Sequence, residues 1–337
     1  MARFFWFPTL LLGLDVEAGD GVHLSTFSRS EDPWQAAIVS NYVRAKVGLY
    51  YDSHPAARID QEVFPLSAIA SDIPDHEGGL ARVELAGHLF APLSGGLGLR
   101  SRLWFQTDLY FNEDSFTDPE GTRQELEVGD RFDRYSWRFD HGLSWRREDL
   151  HFDLLLHVGQ PFIGRQGKPY FSTYVGIQPT ATLRLAEAWD LYGGYRFRHE
   201  FLRGGGSDYD HHIGFIGSRY RLGEALLMVS FSGGRHFNRF TPLSYWEGGG
   251  RLDLFAKLPF QLEGRVKLAY RFRDFDRSRY VFRKDRESHR FETNLTLVKR
   301  FGRHLLTEVR WDFGLNRGKR VERYDRHLVG LNVGFEF

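Results

Sequence analysis

Along most of this chain apolar and polar residues alternate with a period of two. In residues 97–111, Leu97, Leu99, Leu103, Phe105, Leu109 and Phe111 fall on one side, and Arg100, Arg102, Gln106 and Asp108 on the other. Residues 261–272 repeat the pattern, with Leu262, Val266, Leu268, Tyr270 and Phe272 against Gln261, Glu263, Arg265, Lys267 and Arg271. Residues 304–316 do so again, with Leu305, Val309, Trp311, Phe313 and Leu315 against His304, Glu308, Arg310 and Asp312. Successive side chains of a strand point to opposite faces, so each run predicts a strand with one apolar and one charged face. The same reading gives strands at 36–51, 80–92, 97–111, 133–146, 149–160, 170–185, 188–201, 209–221, 224–236, 246–258, 261–273, 289–301, 304–316 and 326–337. Short turns at Pro92–Leu97, Arg147–Asp149, Ala186–Ala188, Leu222–Glu224, Pro259–Phe260 and Gly302–Arg303 alternate with longer loops at 52–79, 112–132, 161–169, 202–208, 237–245, 274–288 and 317–325.

Fourteen long strands, an even number, with turns alternately short and long, predict an all-β fold: a transmembrane antiparallel up-and-down β-barrel over residues 36–337. Tilted strands of this length cross a bilayer, and a soluble sandwich has shorter ones. The last strand places Val329, Leu331, Val333, Phe335 and Phe337 on one face and stops on the aromatic residue. It resembles the closing strand of a bacterial outer-membrane barrel, with Val333, Phe335 and Phe337 as the barrel-closing signal. That resemblance implies the bacterial outer membrane, with its lipid and lipopolysaccharide and the barrel-assembly machinery as partners. Short turns and both termini then lie in the periplasm. Aromatic residues where strands meet loops predict two girdles: Tyr50, Tyr51, Tyr110, Phe111, Phe201, Tyr209, Phe237, Tyr245, Trp246, Phe272 and Phe275 outside, and Trp34, Trp145, Trp189, Phe260, Phe301 and Phe337 on the periplasmic side.

Composition narrows the alternatives. A mean hydropathy of -0.42 excludes a helical membrane protein but suits a barrel, half of whose strand residues face inward. Cysteine is absent, which rules out disulfides and thiolate metal sites and fits an oxidising periplasm. With 45 basic and 44 acidic residues the net charge is +1, so nucleic acid is not an expected partner. Residues 1–18 resemble a signal peptide, with one Arg, a short apolar run and Val16-Glu17-Ala18 as a cleavage site; a retained N-terminal segment is the alternative. Residues 19–35 would be a periplasmic segment. In the longest loop, the apolar string from Val63 to Ala70 is expected to fold inward or meet a periplasmic or surface protein partner.

The candidate chemistry lies on the polar faces. The residues expected to line the interior are Arg100, Arg102, Asp108, Arg138, Asp140, Arg196, Arg198, Arg251, Asp253, Arg265, Lys267, Arg271, Arg290, Glu292, Arg310 and Asp312. Basic side chains outnumber acidic ones there. One reading is a positive pore that favours anionic solutes or polymers; the other is an interior that its own salt bridges hold together. A plugged barrel serving as a scaffold for a partner is the alternative to transport. A rim hydrolase is a second alternative, resting on Asp208-Tyr209-Asp210-His211-His212, where Asp210 and His212 would share the inner face and a carboxylate beside an imidazole activates water. His141 falls on the apolar face with no evident Ser or Asp beside it. No cofactor and no metal centre is expected, and Gly204-Gly205-Gly206 and Gly248-Gly249-Gly250 lack the strand-to-helix setting of a phosphate loop.

Tyr50-Tyr51-Asp52-Ser53, Tyr270-Arg271-Phe272-Arg273-Asp274, Arg283-Lys284-Asp285-Arg286 and Tyr324-Asp325-Arg326-His327 are short strings at strand ends. On these the chain resembles, over about 36–337, the carboxyl-terminal barrel of outer-membrane proteins that carry tetratricopeptide repeats, the surface lipoprotein assembly modifiers among them. The resemblance implies export of a polypeptide or polymer to the cell surface. No helical repeat precedes the barrel in this sequence.

Overall fold

Strand follows strand wherever the alternation runs. The computed structural model describes residues 41–53, 78–111, 113–117, 123–127, 133–163, 170–203, 208–238, 244–276, 287–302, 304–319 and 324–337. The strands are β1 (Tyr42–Asp52), β2 (Gly78–Pro92), β3 (Leu97–Tyr110), β4 (Glu113–Thr117), β5 (Arg123–Glu127), β6 (Arg134–Arg147), β7 (Leu150–Ile163), β8 (Tyr170–Ala186), β9 (Trp189–Arg203), β10 (Tyr209–Leu222), β11 (Ala225–Asn238), β12 (Tyr245–Leu258), β13 (Leu262–Phe275), β14 (Glu287–Phe301), β15 (Leu305–Lys319) and β16 (Tyr324–Glu336). All but β4 and β5 pair antiparallel in one closed barrel, in sequence order, with β16 returning to β1. Closure is in register over nine residue pairs, from Arg44 opposite Glu336 to Asp52 opposite Leu328. Because every barrel strand has two neighbours, the barrel leaves no open sheet edge among the described residues.

The expected strands lie within a few residues of the observed ones. One correction falls in the loop 112–132, which contains the hairpin β4–β5. Its segments, Glu-Asp-Ser-Phe-Thr and Arg-Gln-Glu-Leu-Glu, are mostly polar and carry no clear alternation, so periodicity gave no sign of them. Residues 36–40, the candidate signal 1–18, the segment 19–35, the string from Val63 to Ala70 and Gly204-Gly205-Gly206 lie outside the described residues.

The barrel has a turn end, where β1 begins and β16 stops, and a loop end. Three non-glycine turn-end residues stand in left-handed backbone: Glu148 (φ 51°) between β6 and β7, and Phe260 (φ 62°, ψ 31°) and Gln261 (φ 59°), which join β12 to β13. Left-handed backbone costs a residue with a Cβ about 1–2 kcal/mol. The Phe260 ring, 83% exposed, makes little packing contact in return. Replacing Phe260-Gln261 by Asn-Gly, the pair that two-residue hairpins favour, is expected to raise unfolding stability by about 1–2 kcal/mol. Denaturant titration of the folded barrel checks this; an unchanged midpoint would mean that the Phe260 ring is anchored by its surroundings.

Alternation sorts the side chains radially. Outward go Val47, Leu49 (65% exposed), Phe231, Val309, Leu331 (55%), Val333 and Phe335. Inward go Arg44, Lys46, Arg82, Glu84, Asp108, Asp140, Asp253 and Arg310, all buried. The expected outer girdle divides between these faces. Tyr51, Phe201, Phe237 and Trp246 are exposed on the outside, whereas Tyr50, Tyr110, Tyr209, Tyr245 and Phe275 are buried inside. A buried phenol needs a hydrogen-bond partner, and for Tyr110 and Tyr50 the interior supplies it. Tyr110 donates to Asp52 Oδ2 at 2.7 Å, and Tyr50 accepts from the Asn332 amide.

Candidate functional site: the charged inner wall

The inner wall is built from the inward positions of every barrel strand, so its charge pattern follows from register. Two sectors differ. Around the seam β16–β1–β2–β3, Arg44, Lys46, Arg82 and Arg326 are each matched to a carboxylate. Arg44 pairs with Glu336. Lys46 lies between Glu308 at 3.0 Å and Glu84 at 3.5 Å. Arg82 donates to Asp108 at 2.6 and 3.1 Å, with its guanidinium 4.5 Å over the Tyr50 ring. Arg326 donates both Nε and Nη2 to Asp52, at 2.8 and 2.6 Å. Paired and hydrogen-bonded in this way, buried charges hold the wall together.

In the sector β12–β14 guanidiniums share carboxylates. Asp253 takes both Arg251 and, at 3.1 Å, Arg265. Glu247 takes Arg273 at 2.8 Å and Arg271 at 3.9 Å. Arg290 lies 2.6 Å from Glu292. Lys267 is buried in the same sector. Arg196 of β9 joins Arg251, Lys267, Arg271, Arg290, Glu247 and Glu292 around a cavity of about 70 Å³. Five cations and two carboxylates line this cavity, and a wall in which one sign predominates concentrates the opposite one. Guanidinium forks also match carboxylate, phosphate and sulfate geometry.

All the residues expected inside stand on inward positions. Besides those above, Arg100 reaches Asp153 at 2.7 Å, Arg138 reaches Asp140 at 2.6 Å, Arg198 reaches Glu200 at 2.8 Å and Arg310 reaches Asp312 at 2.8 Å. Arg102 lies between Arg100 and Trp104 on the same alternation. Two features were not foreseen from sequence. Near the loop end an inner arc of rings runs from His211 to His236 (centroids 4.4 Å apart), to Tyr245 (4.2 Å), to Phe275 (5.0 Å). Apolar packing also occurs inside, in the cluster Leu226, Met228 and Phe255.

The Asp/His string 208–212 requires a correction. Tyr209, His211 and Ile213 take the inward positions of β10, which puts Asp210 and His212 on the outer surface. There Asp210 Oδ1 accepts from His199 Nδ1 at 2.6 Å, and His212 Nδ1 lies 2.5 Å from the Tyr195 hydroxyl. Among the described residues no group of three His, Cys, Asp or Glu is placed to hold a metal. A second correction concerns His141. It does have a serine beside it: Ser101 Oγ, on the neighbouring strand, lies 2.8 Å from its Nδ1 on the outer surface.

No protein-family model matches the chain, and no curated protein matches it either. Among solved structures it is similar to OmpT, an outer membrane protein of Vibrio cholerae, at 8% identity, covering 88% of this chain and 97% of that one with a TM-score of 0.47. It is similar to an anion-selective porin from Comamonas acidovorans at 12% identity, covering 88% and 99%, TM-score 0.43. It is also similar to Pseudomonas aeruginosa OprD at 10% identity, covering 89% and 96%, TM-score 0.41.

Proposed function

We propose that this chain is a bacterial outer-membrane barrel whose interior provides a path for anionic solutes or polymers. One observation carries the reading: the usual partition is inverted, with large apolar side chains exposed around the outside and charged ones buried inside. An apolar outer surface on strands of 11 to 17 residues suits a hydrocarbon layer about 25 Å thick. The shared carboxylates of β12–β14 supply the preference for anions. Val333, Phe335 and Phe337, all outward, would present the closing strand to the barrel-assembly machinery, and lipid and lipopolysaccharide would surround the barrel.

The test is planar-bilayer conductance with reversal potential in a salt gradient. Discrete anion-selective steps are the expected result. A silent bilayer with folded protein inserted would favour a second reading, a plugged barrel that acts as a membrane scaffold for a partner protein. That reading rests on the tight interior, where Leu226, Leu306 and Leu328 are each less than 2% exposed. The resemblance to the surface lipoprotein assembly modifiers bears instead on the first reading, with a polypeptide or polymer as the cargo.

A further inference from the structure

On the outer face of a barrel in hydrocarbon, ionisable side chains belong at the ends of strands, within reach of water. Among the described residues, His199, His212, Arg235, His289 and His327 follow that rule on the outward faces. His141 does not: it stands in the middle of β6, exposed, on an otherwise apolar outward row with Phe139 and Leu143. An imidazole at such depth is expensive unless it has a task or a partner. It has a partner. Ser101 Oγ of β3 is 2.8 Å from His141 Nδ1, and the two residues face each other directly across the strands.

We propose that Ser101 and His141 form a nucleophile–base pair that takes the acyl group from a membrane phospholipid ester. In the neutral tautomer with the proton on Nε2, Nδ1 is free to accept, and the Ser101 hydroxyl donates to it. Ser101 Oγ attacks the ester carbonyl carbon while its proton passes to Nδ1. The ester C–O bond then breaks, the proton leaves His141 for the departing glycerol oxygen, and a lysophospholipid departs. Water attacks the acyl-Ser101 ester with His141 again taking the proton, releasing a fatty acid and restoring the hydroxyl.

Two features of the surroundings fit an ester substrate, and a third fixes how far the substrate must sink. The Phe139 ring lies parallel to the imidazole, within 8°, at 6.0 Å, and orients it. Leu89 and Leu156 stand opposite Ser101 and His141 on the flanking strands, giving the pair an apolar collar for acyl chains. Ser101 is four residues from the turn-end start of its strand at Leu97, which for a tilted strand is about 10 Å along the barrel axis. Trp145 stands opposite Leu97, so the pair lies about 10 Å beyond that ring, and a phospholipid must lower its ester carbonyl into the apolar collar to reach Ser101.

The inference rests on the reading of the outer face as lipid-facing, and the experiment separates the two. The folded protein in detergent is treated with a long-chain alkyl fluorophosphonate and weighed intact. The same protein is reconstituted in vesicles of phosphatidylethanolamine and phosphatidylglycerol and assayed for fatty-acid release. Labelling at Ser101 and release of fatty acid are expected. Ser101→Ala should abolish both, and His141→Gln should slow labelling by about a hundredfold, the scale of a general base. Neither change touches an inner ion pair, so both variants are expected to fold, which migration on unheated gels checks. Labelling that survives Ser101→Ala, or a folded, vesicle-inserted protein that is neither labelled nor active, overturns the pair. Labelling at Ser101 in a protein that fails to insert supports the pair and overturns the membrane reading.

Discussion

Replacing Asp52 by Ala is expected to destabilise the barrel by about 3–5 kcal/mol, the cost of removing one partner from a buried ion pair. Asp52 is 0% exposed at the loop end of β1. Its two oxygens accept both donors of Arg326 and the hydroxyl of Tyr110, so one carboxylate joins β16, β1 and β3. Without it, the Arg326 guanidinium stays buried beside an empty space. The double variant Asp52→Ala, Arg326→Met should recover most of the loss, because it removes the orphaned charge along with its partner. Denaturant unfolding of the protein in lipid vesicles, followed by tryptophan emission, reads both. If the single variant unfolds within about 1 kcal/mol of the parent, the seam is held chiefly by its backbone ladder and not by this pair.

The second large effect concerns ions. Arg265→Gln with Arg271→Gln is expected to lower the anion-to-cation permeability ratio by on the order of tenfold, the scale at which a one-signed wall concentrates counter-ions. These two guanidiniums are chosen because each shares its carboxylate. Asp253 keeps Arg251 and Glu247 keeps Arg273 at 2.8 Å, so no acidic group is stranded and the wall should still fold. The reversal potential in a salt gradient measures the change. A ratio unaltered from that of the parent would mean that solutes do not pass along β12–β14.

Most of the architecture was legible because alternation is local. A residue such as Leu103 or Arg265 reveals its face through neighbours two positions away, and short turns fix the pairing of the strands they join. The face of β10 was misjudged for the opposite reason. Near the loop end both surfaces carry rings: Tyr209, His211 and Tyr245 inside, Phe201, Phe237 and Trp246 outside. Hydrophobicity then no longer says which side is which, and a one-residue slip exchanges Asp210 and His212 for His211 and Ile213. The Ser101–His141 contact was beyond reach for another reason. Their strands, β3 and β6, are joined through the hairpin β4–β5 and not by a tight turn, so nothing in the spacing of forty residues fixes which serine meets which imidazole. The pairs Arg44–Glu336, Lys46–Glu308 and Arg326–Asp52 share that difficulty, since their partners come from opposite ends of the chain.

The seam also orders events in time. Arg44 meets Glu336 across 292 positions, and Lys46 meets Glu308 across 262, whereas every other junction in the barrel joins strands adjacent in sequence or separated by one hairpin. Contacts so distant along a chain form late, because the loop they close is the whole protein. Until then β1 and β16 are two open backbone edges with buried-type charges in water, a state prone to pair with another chain. Several residues make joining in the wrong register costly. Tyr50 lies over Gly330, where a Cβ would overlap its ring, and Asn332 must reach both Tyr50 and Glu308. Once these meet, reopening requires breaking the ion pairs and the ladder together. The closed barrel is therefore expected to persist far longer than its equilibrium stability alone implies.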